Sequence, residues 1–304
     1  MLKRHLCDAR FELEIEVKGP VLIKSGEAGF ATGPDMSFVR SNAYGGETPL
    51  PYLPGTSLKG VIRSQVERIA RTLSAPETTA VCLPYSFDNG PEQSCGKRFD
   101  KKTPKPQVYR GECLACRMFG SLEFKGRVNI DDAYAVDPGK LRLEVRDGVA
   151  IDRKTGGAAA KYDLEVLTAG TFKTTILANN FELWQLGALG LVLADLWDER
   201  IRFGLGTSRG LGHVRGEIKK AEIRYSAKHD ETLVGIERLV SAAEKDQYGL
   251  FSSGNPGMKL PQGIAQGIWK LHHIERTDLD SVFDAGRNEF VSFMDSYRWN
   301  GGRA

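Results

Sequence analysis

The stretch LPYLPGTSLKGVIRSQVERIA, residues 50–70, predicts a turn that leads directly into an amphipathic helix. Thr56 or Ser57 is the expected N-cap of this helix. Its apolar stripe repeats at helical spacing and comprises Leu58, Ile62, Val66, Ile69 and Leu73. Two cations, Lys59 and Arg63, lie one turn apart near the helix start, where the helix dipole is already positive. This arrangement favours a bound anion, because the free N–H groups of a helix start bind phosphate well.

Strand-like patterns lie on both sides of this helix. FELEIEVKGP, residues 11–20, alternates apolar and mostly acidic residues, as a half-buried strand does. Further strands and one apolar helix follow in the order GRVNIDDAYAV (126–136), LRLEVRDGVAI (141–151), LEVLTAGTFKTTIL (164–177), a helix over 180–199, and HVRGEIKKAEIRY (213–225). The order β, α, β, β, α, β predicts an α+β fold with a ferredoxin-like (RRM-like) core over residues 1–225.

Three additions to this core are expected. Residues 75–126 lack periodicity and form an insertion that holds four of the five cysteines. DRKTGGAAAKYD, residues 152–163, is the glycine-rich tip of a long β-hairpin between two strand-like runs. Residues 226–304 form a helical C-terminal extension, with helices expected over 232–244 and 278–299.

Composition limits the function classes. The 304 residues carry a net charge of +3, and the cations concentrate between residues 97 and 127, which suits an anionic partner. The sequence shows no signal-peptide pattern at its start. The most apolar stretch, LGALGLVLADLW (186–197), is too short to span a bilayer and contains Asp195. We therefore expect a cytoplasmic protein with no membrane partner.

The cysteines indicate a metal site. Cys113 and Cys116 form a C-x-x-C pair, and Cys82 and Cys95 precede them as two further thiols that would complete a tetrahedral structural zinc site. The surrounding polar, glycine-rich segment has too few apolar residues to fold without a structural metal ion. A coincidental pair of buried thiols and a redox C-x-x-C are the alternatives. Cys7 is left over and is expected to be an ordinary buried residue.

A second glycine-rich loop, GLGTSRGLG, covers residues 204–212. Its glycines allow close backbone approach, and its small hydroxyls and N–H groups suit phosphate oxygens. It precedes a strand and lacks G-K-[ST], so it is neither a dinucleotide fingerprint nor a P-loop. Alone it is typical of a mobile loop with a solvated arginine. Combined with the helix cations and the basic insertion, it favours sequence-independent binding to an RNA backbone.

Four blocks, in family order, carry a resemblance to a known family. LPGTSLKGVIR resembles the proline-glycine-(serine/threonine)-serine-leucine-lysine-glycine signature of the RAMP superfamily. CLACRMFGS, followed by GRVNIDDAY, resembles the next block in backbone subunits of type III CRISPR effector complexes. IDRKTGGAA…GTFKTTI resembles the thumb hairpin of these subunits, and GLGTSRGLGHV resembles their terminal glycine-rich loop. The resemblance covers about residues 10–225. It implies a subunit that stacks along a CRISPR guide RNA with other effector subunits and copies of itself, while paired target RNA is cut.

The resemblance also implies roles for individual residues. GPDMSFVR (33–40) aligns with the loop that carries the family's cleaving aspartate, which gives Asp35 that role. The RNA's own 2′-OH would attack, with a divalent cation (Mg²⁺ or Mn²⁺) at the carboxylate. The implied RNA-binding residues are Lys59, Arg63, Arg153, Lys154, Gly206, Thr207, Ser208, Arg209 and Gly210. The four-cysteine set departs from the family, in which one zinc ligand is commonly histidine.

Two alternatives stay open beside the target-RNA endoribonuclease. A structural subunit would bind RNA without cutting it, since Asp35 next to Pro34 is also ordinary turn chemistry. A CRISPR precursor-RNA processing endonuclease would use histidine or lysine as acid and base. None of the five histidines lies in a recognisable pair with another catalytic group in the sequence, which disfavours that second alternative.

Overall fold

The computed structural model describes residues 3–26, 34–42, 48–74, 80–83, 94–254 and 257–299. The strands are β1 (Cys7–Val17), β2 (Arg40–Ser41), β3 (Leu50–Pro51), β4 (Val128–Ile130), β5 (Tyr134–Ala135), β6 (Arg142–Ile151), β7 (Ala158–Ala169), β8 (Thr171–Asn179), β9 (Val214–Ser226), β10 (Ile264–Gln266) and β11 (Trp269–Ile274). The helices are α1 (Gly55–Leu73), α2 (Cys95–Arg98), α3 (Lys105–Gly111), α4 (Leu114–Phe119), α5 (Leu183–Trp197), α6 (Ala242–Tyr248) and α7 (Arg276–Ser296). Residues 75–79 and 84–93 of the expected insertion, and 300–304 of the expected extension, lie outside the described residues.

A seven-stranded antiparallel sheet is the centre of the fold. Its strand order is β10-β11-β9-β1-β8-β4, and β5 also pairs with β8. β1 is central: its start pairs with the end of β8 (Asp8↔Asn179), and its last residue pairs with the first residue of β9 (Val17↔Val214). The predicted combination of helices and strands in one α+β fold is confirmed, and the sheet is antiparallel.

The two faces of the sheet follow from the alternation in β1. Phe11, Leu13 and Ile15 are buried, and the Phe11 ring lies 5.6 Å from that of Phe283 in α7. The glutamates between them lie on the opposite face, where Glu12 pairs with a lysine of β8 at 2.7 Å. Helices therefore cover one face, and ion pairs occupy the other.

Helices α5 and α7 cross at two glycines. A Cβ on Gly187 would lie only 2.1 Å from the Gly286 carbonyl oxygen, so the two backbones touch there. Next to this crossing, Trp184 stacks on Phe293 with ring centroids 4.4 Å apart. Among the described residues, no helix combines the length and the apolar composition that crossing a membrane requires.

The expected strand over 164–177 is two strands, β7 and β8. Gly170 separates them with a φ of +148°, a conformation that L side chains rarely adopt, and the chain there leaves the hairpin and enters the sheet. The β6–β7 hairpin itself is present, as expected. Its tip is shorter than expected, because β7 begins at Ala158 and the turn covers only 152–157.

The expected start of α1 is wrong in one respect. Thr56 and Ser57 lie inside the helix, and Pro54 precedes it without a side-chain cap. The Gly55 N–H instead donates to Asp132 Oδ1 at 2.7 Å, so a carboxylate from the segment between β4 and β5 satisfies this donor. Of the predicted apolar stripe, Leu58, Ile62 and Val66 are buried, whereas Ile69 is half-buried and Leu73 is exposed.

The C-terminal extension is helical only in part. The helix expected over 232–244 is wrong, because α6 begins at Ala242 and the backbone before it bonds to other segments. For example, the Leu233 N–H donates to Met258 O and the Ile236 N–H to Phe181 O. In addition, β11 pairs with β9, so this region extends the main sheet. The last expected helix agrees with α7, which ends at Ser296.

Candidate nucleic-acid interface and metal centre

Four buried thiols converge beside α1. The sulfurs of Cys82, Cys95, Cys113 and Cys116 all lie within 4.8 Å of one another. Cys82 Sγ lies 3.8 Å from Cys116 Sγ and 3.6 Å from Cys113 Sγ. A tetrahedral zinc with Zn–S bonds of ~2.3 Å would space its sulfurs by ~3.8 Å. The donor set is therefore compatible with a structural metal site, as the sequence predicted.

Short helices position these thiols. Cys95 opens α2, while Cys113 immediately precedes α4 and Cys116 lies in its first turn. The Cys113 N–H donates to Cys95 Sγ at 3.2 Å, a contact that supports a sulfur carrying negative charge. The Leu114 N–H donates to Ala80 O and draws the Cys82 segment towards the other three thiols. The pKa of Cys95 is raised by hydrogen bonds with Cys113 and the other two thiols, and also by burial. The pKa of Cys82 is lowered, mainly by its hydrogen bond with Cys113.

Arg63 faces this cluster. Its guanidinium donates to Cys116 Sγ at 3.2 Å, to Gly120 O at 3.0 Å and to Glu67 Oε1 at 2.9 Å. Burial opposes its charge, but Cys116 and Glu67 together raise the pKa of Arg63 above its usual value. A zinc ion held by four thiolates forms a centre with two net negative charges, and Arg63 would offset part of them. The guide-phosphate contact expected for Arg63 stays a prediction, and the structure gives this residue a competing position beside the thiols.

Asp35 lies against the β6–β7 hairpin. Its Oδ2 accepts a hydrogen bond from the Asp163 N–H at 3.1 Å. The next residue, Met36, continues along β7, donating its N–H to Asp163 O and accepting from the Glu165 N–H. An ion pair between Arg40 and Glu165 at 2.5 Å holds the same segment against the hairpin. These bonds fix Asp35 beside the middle of β7.

Asp163, whose N–H contacts Asp35, has a second aspartate opposite it in the hairpin, and the sequence reasoning assigned a site role to neither. Asp147 of β6 lies directly opposite Asp163 of β7. The pKa of Asp163 is raised above its usual value, mainly by a hydrogen bond with Asp147. Slight desolvation and the negative charges of Asp147 and Asp35 raise it further. Crowded carboxylates of this kind suit a hard divalent cation. Among the described residues, the four cysteines are the one group of three or more His, Cys, Asp or Glu side chains whose ligand atoms all lie within 4.8 Å of one another, so the three aspartates are spaced more widely than that.

The glycine-rich loop reaches the same place. Gly206 and Gly210 adopt left-handed conformations with φ of +69° and +82°, on either side of a short turn over Thr207–Arg209. Arg209 Nη1 donates to the Tyr162 hydroxyl at 3.2 Å. Tyr162 is the neighbour of Asp163, so Arg209 and Asp35 contact adjacent residues of β7. The structure thus brings together two predicted site residues that are 174 positions apart in the numbering.

The remaining predicted cations lie elsewhere. Arg153 and Lys154 are exposed in the hairpin turn, which begins about 17 Å along β7 from Asp163 at strand spacing. Lys59 is on α1, and burial, followed by the charges of Arg63 and Lys125, lowers its pKa. Lys125 therefore adds a cation beside Lys59 that the sequence reasoning did not single out.

One histidine has a carboxylate partner that the sequence did not indicate. His213, the residue that follows the glycine-rich loop, is paired: its Nε2 lies 2.6 Å from Glu199 Oε2. Glu199 adopts a left-handed conformation with φ of +61° at the end of α5, which presents its carboxylate to the ring. Only the fold makes this pair visible, because the two residues belong to different elements.

Comparison with known proteins adds one finding. A sequence model of the RAMP superfamily matches residues 14–215, more than half of the chain. The match contains α1, the cysteines, the hairpin and the glycine-rich loop. A search of curated proteins finds no match.

Proposed function

Because the chain belongs to the RAMP superfamily, we propose that it is a guide-RNA-binding backbone subunit of a type III CRISPR effector complex. Members of this superfamily are generally CRISPR-associated and bind CRISPR RNA and partner subunits. We also assign it a ferredoxin-like core. The strand order β9-β1-β8-β4, with α1 after β1 and α5 after β8, supports that assignment.

The hairpin end of the sheet, together with Lys59 on α1, is the proposed RNA interface. Arg209, Lys59 and the turn cations Arg153 and Lys154 would neutralise phosphates, and the loop over 206–210 would donate N–H groups to them. Charge and backbone donors carry no sequence information, which suits a subunit that must accept any guide. The observation that carries this proposal is the convergence of Arg209 and Asp35 on Tyr162 and Asp163.

Asp35 is the proposed cleavage residue. In paired target RNA, the 2′-OH of the nucleotide at Asp35 attacks the adjacent phosphorus, and the 5′-oxygen leaves with a proton. The products are a 2′,3′-cyclic phosphate and a 5′-hydroxyl. The Asp35 carboxylate orients the attacking hydroxyl. A Mg²⁺ or Mn²⁺ ion held by Asp35 with Asp147 or Asp163 would supply positive charge for the phosphate in the transition state.

The cysteine cluster is proposed to hold one structural zinc ion through Cys82, Cys95, Cys113 and Cys116. The ion would supply no chemistry to the RNA. It would fix α2 and α4 against α1, whose own residue Arg63 contacts Cys116.

The cleavage proposal is tested with Asp35→Asn in the complex assembled with its partner subunits, a guide RNA and a paired target. Asp230→Asn is the matched control, because Asp230 is an exposed aspartate outside this region. Asp35→Asn should abolish cutting with guide and target affinities unchanged, and chelation of divalent cations should do the same. Cutting at the wild-type rate by Asp35→Asn would leave the structural, non-cutting subunit as the function.

A precursor-RNA endonuclease is the second candidate, favoured by the His213–Glu199 pair beside the glycine-rich loop. A histidine acid or base needs no metal. Cleavage of guide precursor that persists in chelator and disappears in His213→Gln would select this candidate. Loss of target cutting in chelator would reject it.

A further inference from the structure

A second basic surface lies away from the hairpin. A groove of about 590 Å³ is formed where α3 and α4 meet the end of α7 and the loop after α6. Four arginines line it, and we name it the arginine groove: Arg98, Arg110, Arg117 and Arg298. Its other lining residues are glycine, serine, leucine and aromatic residues, and no carboxylate is among the described residues that line it.

Contacts within the protein position these arginines and leave some of their guanidinium N–H groups without a hydrogen-bond acceptor among the described residues. Arg98 stacks over Trp299 at 5.3 Å and donates through Nη1 to Gly111 O. Arg298 donates through Nη1 to the Tyr297 carbonyl, and Arg110 through Nη1 to the Asp246 carbonyl. Within the described part of the chain, the Nη2 groups of these three arginines form no hydrogen bond. Each therefore presents a positioned guanidinium with donors available for a ligand.

The three less buried arginines of the groove have little internal charge compensation. Arg117 is buried and donates to three backbone carbonyls, those of Arg110, Glu112 and Gly249. The buried carboxylates of Glu182 and Glu112 offset part of the Arg117 charge. Among the other three arginines, Arg110 has a carboxylate neighbour, the exposed Asp246 at 3.7 Å. Buried or clustered charge without direct partners is costly, so an anionic ligand would stabilise this surface.

Phosphate is the anion that guanidinium groups match best, because a planar fork donates two parallel hydrogen bonds to it. Several arginines along one groove suit a chain of phosphates. The groove is also remote from the hairpin. It lies by the start of α5, which follows the end of β8, whereas the hairpin joins the start of β8, ~26 Å away at strand spacing.

We propose that the arginine groove binds phosphate groups of single-stranded RNA, as a second contact separate from the hairpin end. The proposal rests on the RNA-binding part of the proposed function, but not on Asp35, Lys59 or Arg209. It predicts that the RNA bound by one subunit extends beyond the hairpin end to the opposite end of the sheet.

The test uses the exposed arginines, because Arg117 is part of the packing. Full-length Arg110→Gln/Arg298→Gln is compared with Arg68→Gln/Arg200→Gln, which removes the same charge from exposed arginines elsewhere. Anisotropy of a fluorescein-labelled single-stranded RNA of mixed sequence is measured across salt concentrations. The groove variant should bind about tenfold more weakly, with a salt slope shallower by about 0.7 for each phosphate that is no longer neutralised, while the control variant binds as wild type.

Lys59→Gln/Arg209→Gln, measured in parallel, separates the two proposals. If only this variant weakens binding, the arginine groove is not an RNA site and the inference is overturned. If only the groove variant weakens binding, the inference stands and the proposed hairpin-end interface fails. Unchanged RNA affinity together with weaker binding of partner subunits would also overturn it and assign the groove to an acidic protein. Absence of RNA binding by the wild-type chain would reject both.

Discussion

The cysteine segment and the hairpin are both rich in cations, but they use their charges differently. In the cysteine segment, described from residue 94 to 127, Arg117 and Arg127 are buried, and Arg127 lies 4.9 Å over the Tyr109 ring. In the hairpin, the turn cations are exposed, and even the apolar Val145, Val149 and Ile151 are 61%, 52% and 67% exposed. A basic stretch of sequence thus contains structural and ligand-binding cations together. Burial, rather than charge density, separates the two groups.

Loss of the metal should have the largest effect, and it should be confined to the cysteine segment. In Cys113→Ser, the thiol next to α4 is gone, and we expect a stability loss of more than about 4 kcal/mol, in the exceptional range for one substitution. Elemental analysis should show one zinc per wild-type chain and little in the variant. Hydrogen exchange should rise over α2 to α4 and stay unchanged in β6 and β7. The control is Cys7→Ser, which changes a buried thiol outside the cluster. Full zinc content in Cys113→Ser would contradict the site.

The free energy of unfolding should fall as pH rises, because the carboxyl group of Glu237 is buried. Burial, followed by the charge of Glu182, raises the pKa of Glu237 from 4.5 to about 8. The folded chain keeps this proton where the unfolded chain has released it, so stability is present in full below pH 4.5 and declines up to pH 8. The slope is at most about 1.4 kcal/mol per pH unit. Chemical denaturation of Glu237→Gln should show a flatter profile. A wild-type profile in this variant would reject the assignment.

Arg63 and Lys59 distinguish a cation that supports the cysteine cluster from one that binds RNA, because they lie one turn apart on α1 and have different surroundings. Arg63→Met removes a donor to Cys116 Sγ, and zinc affinity should fall about 10- to 100-fold, as for other groups that contact metal ligands. Lys59→Met should leave zinc affinity unchanged and weaken RNA binding. Chelator competition and RNA titration measure the two effects. An equal effect of both variants on RNA, with zinc unaffected, would restore Arg63 as a phosphate contact.

The hairpin turn should give the smallest effect on stability. Arg153→Gln/Lys154→Gln changes two exposed side chains, so unfolding free energy should stay within about 0.5 kcal/mol. The salt slope of RNA binding should flatten by about 0.7 for each phosphate that these cations no longer neutralise. Thermal melting and anisotropy measure both. Unchanged salt dependence would remove the turn from the RNA interface.

Local patterns predicted what depends on local physics. The stripe from Leu58 to Val66 and the alternation of β1 gave helix and strand correctly, and the C-x-x-C spacing indicated a cluster that the fold assembles. The failures involve partners remote in sequence. Asp132 satisfies the start of α1 from the segment after β4, and Glu199 meets His213 across two elements. Neither contact leaves a periodic pattern in the chain, so the sequence could not indicate either one.

The crossing of α5 and α7 restricts how this protein can be shortened or redesigned. Gly187 and Gly286 belong to different regions of the chain, yet neither has room for a methyl group, since each would meet the backbone of the other. A chain ended at residue 225 would lack α7 and uncover Trp184 and Phe11. Even the mildest substitution, glycine to alanine, would push the helices apart. For a protein engineer, the last quarter of the chain is therefore part of the folded core and should be kept in any shortened version.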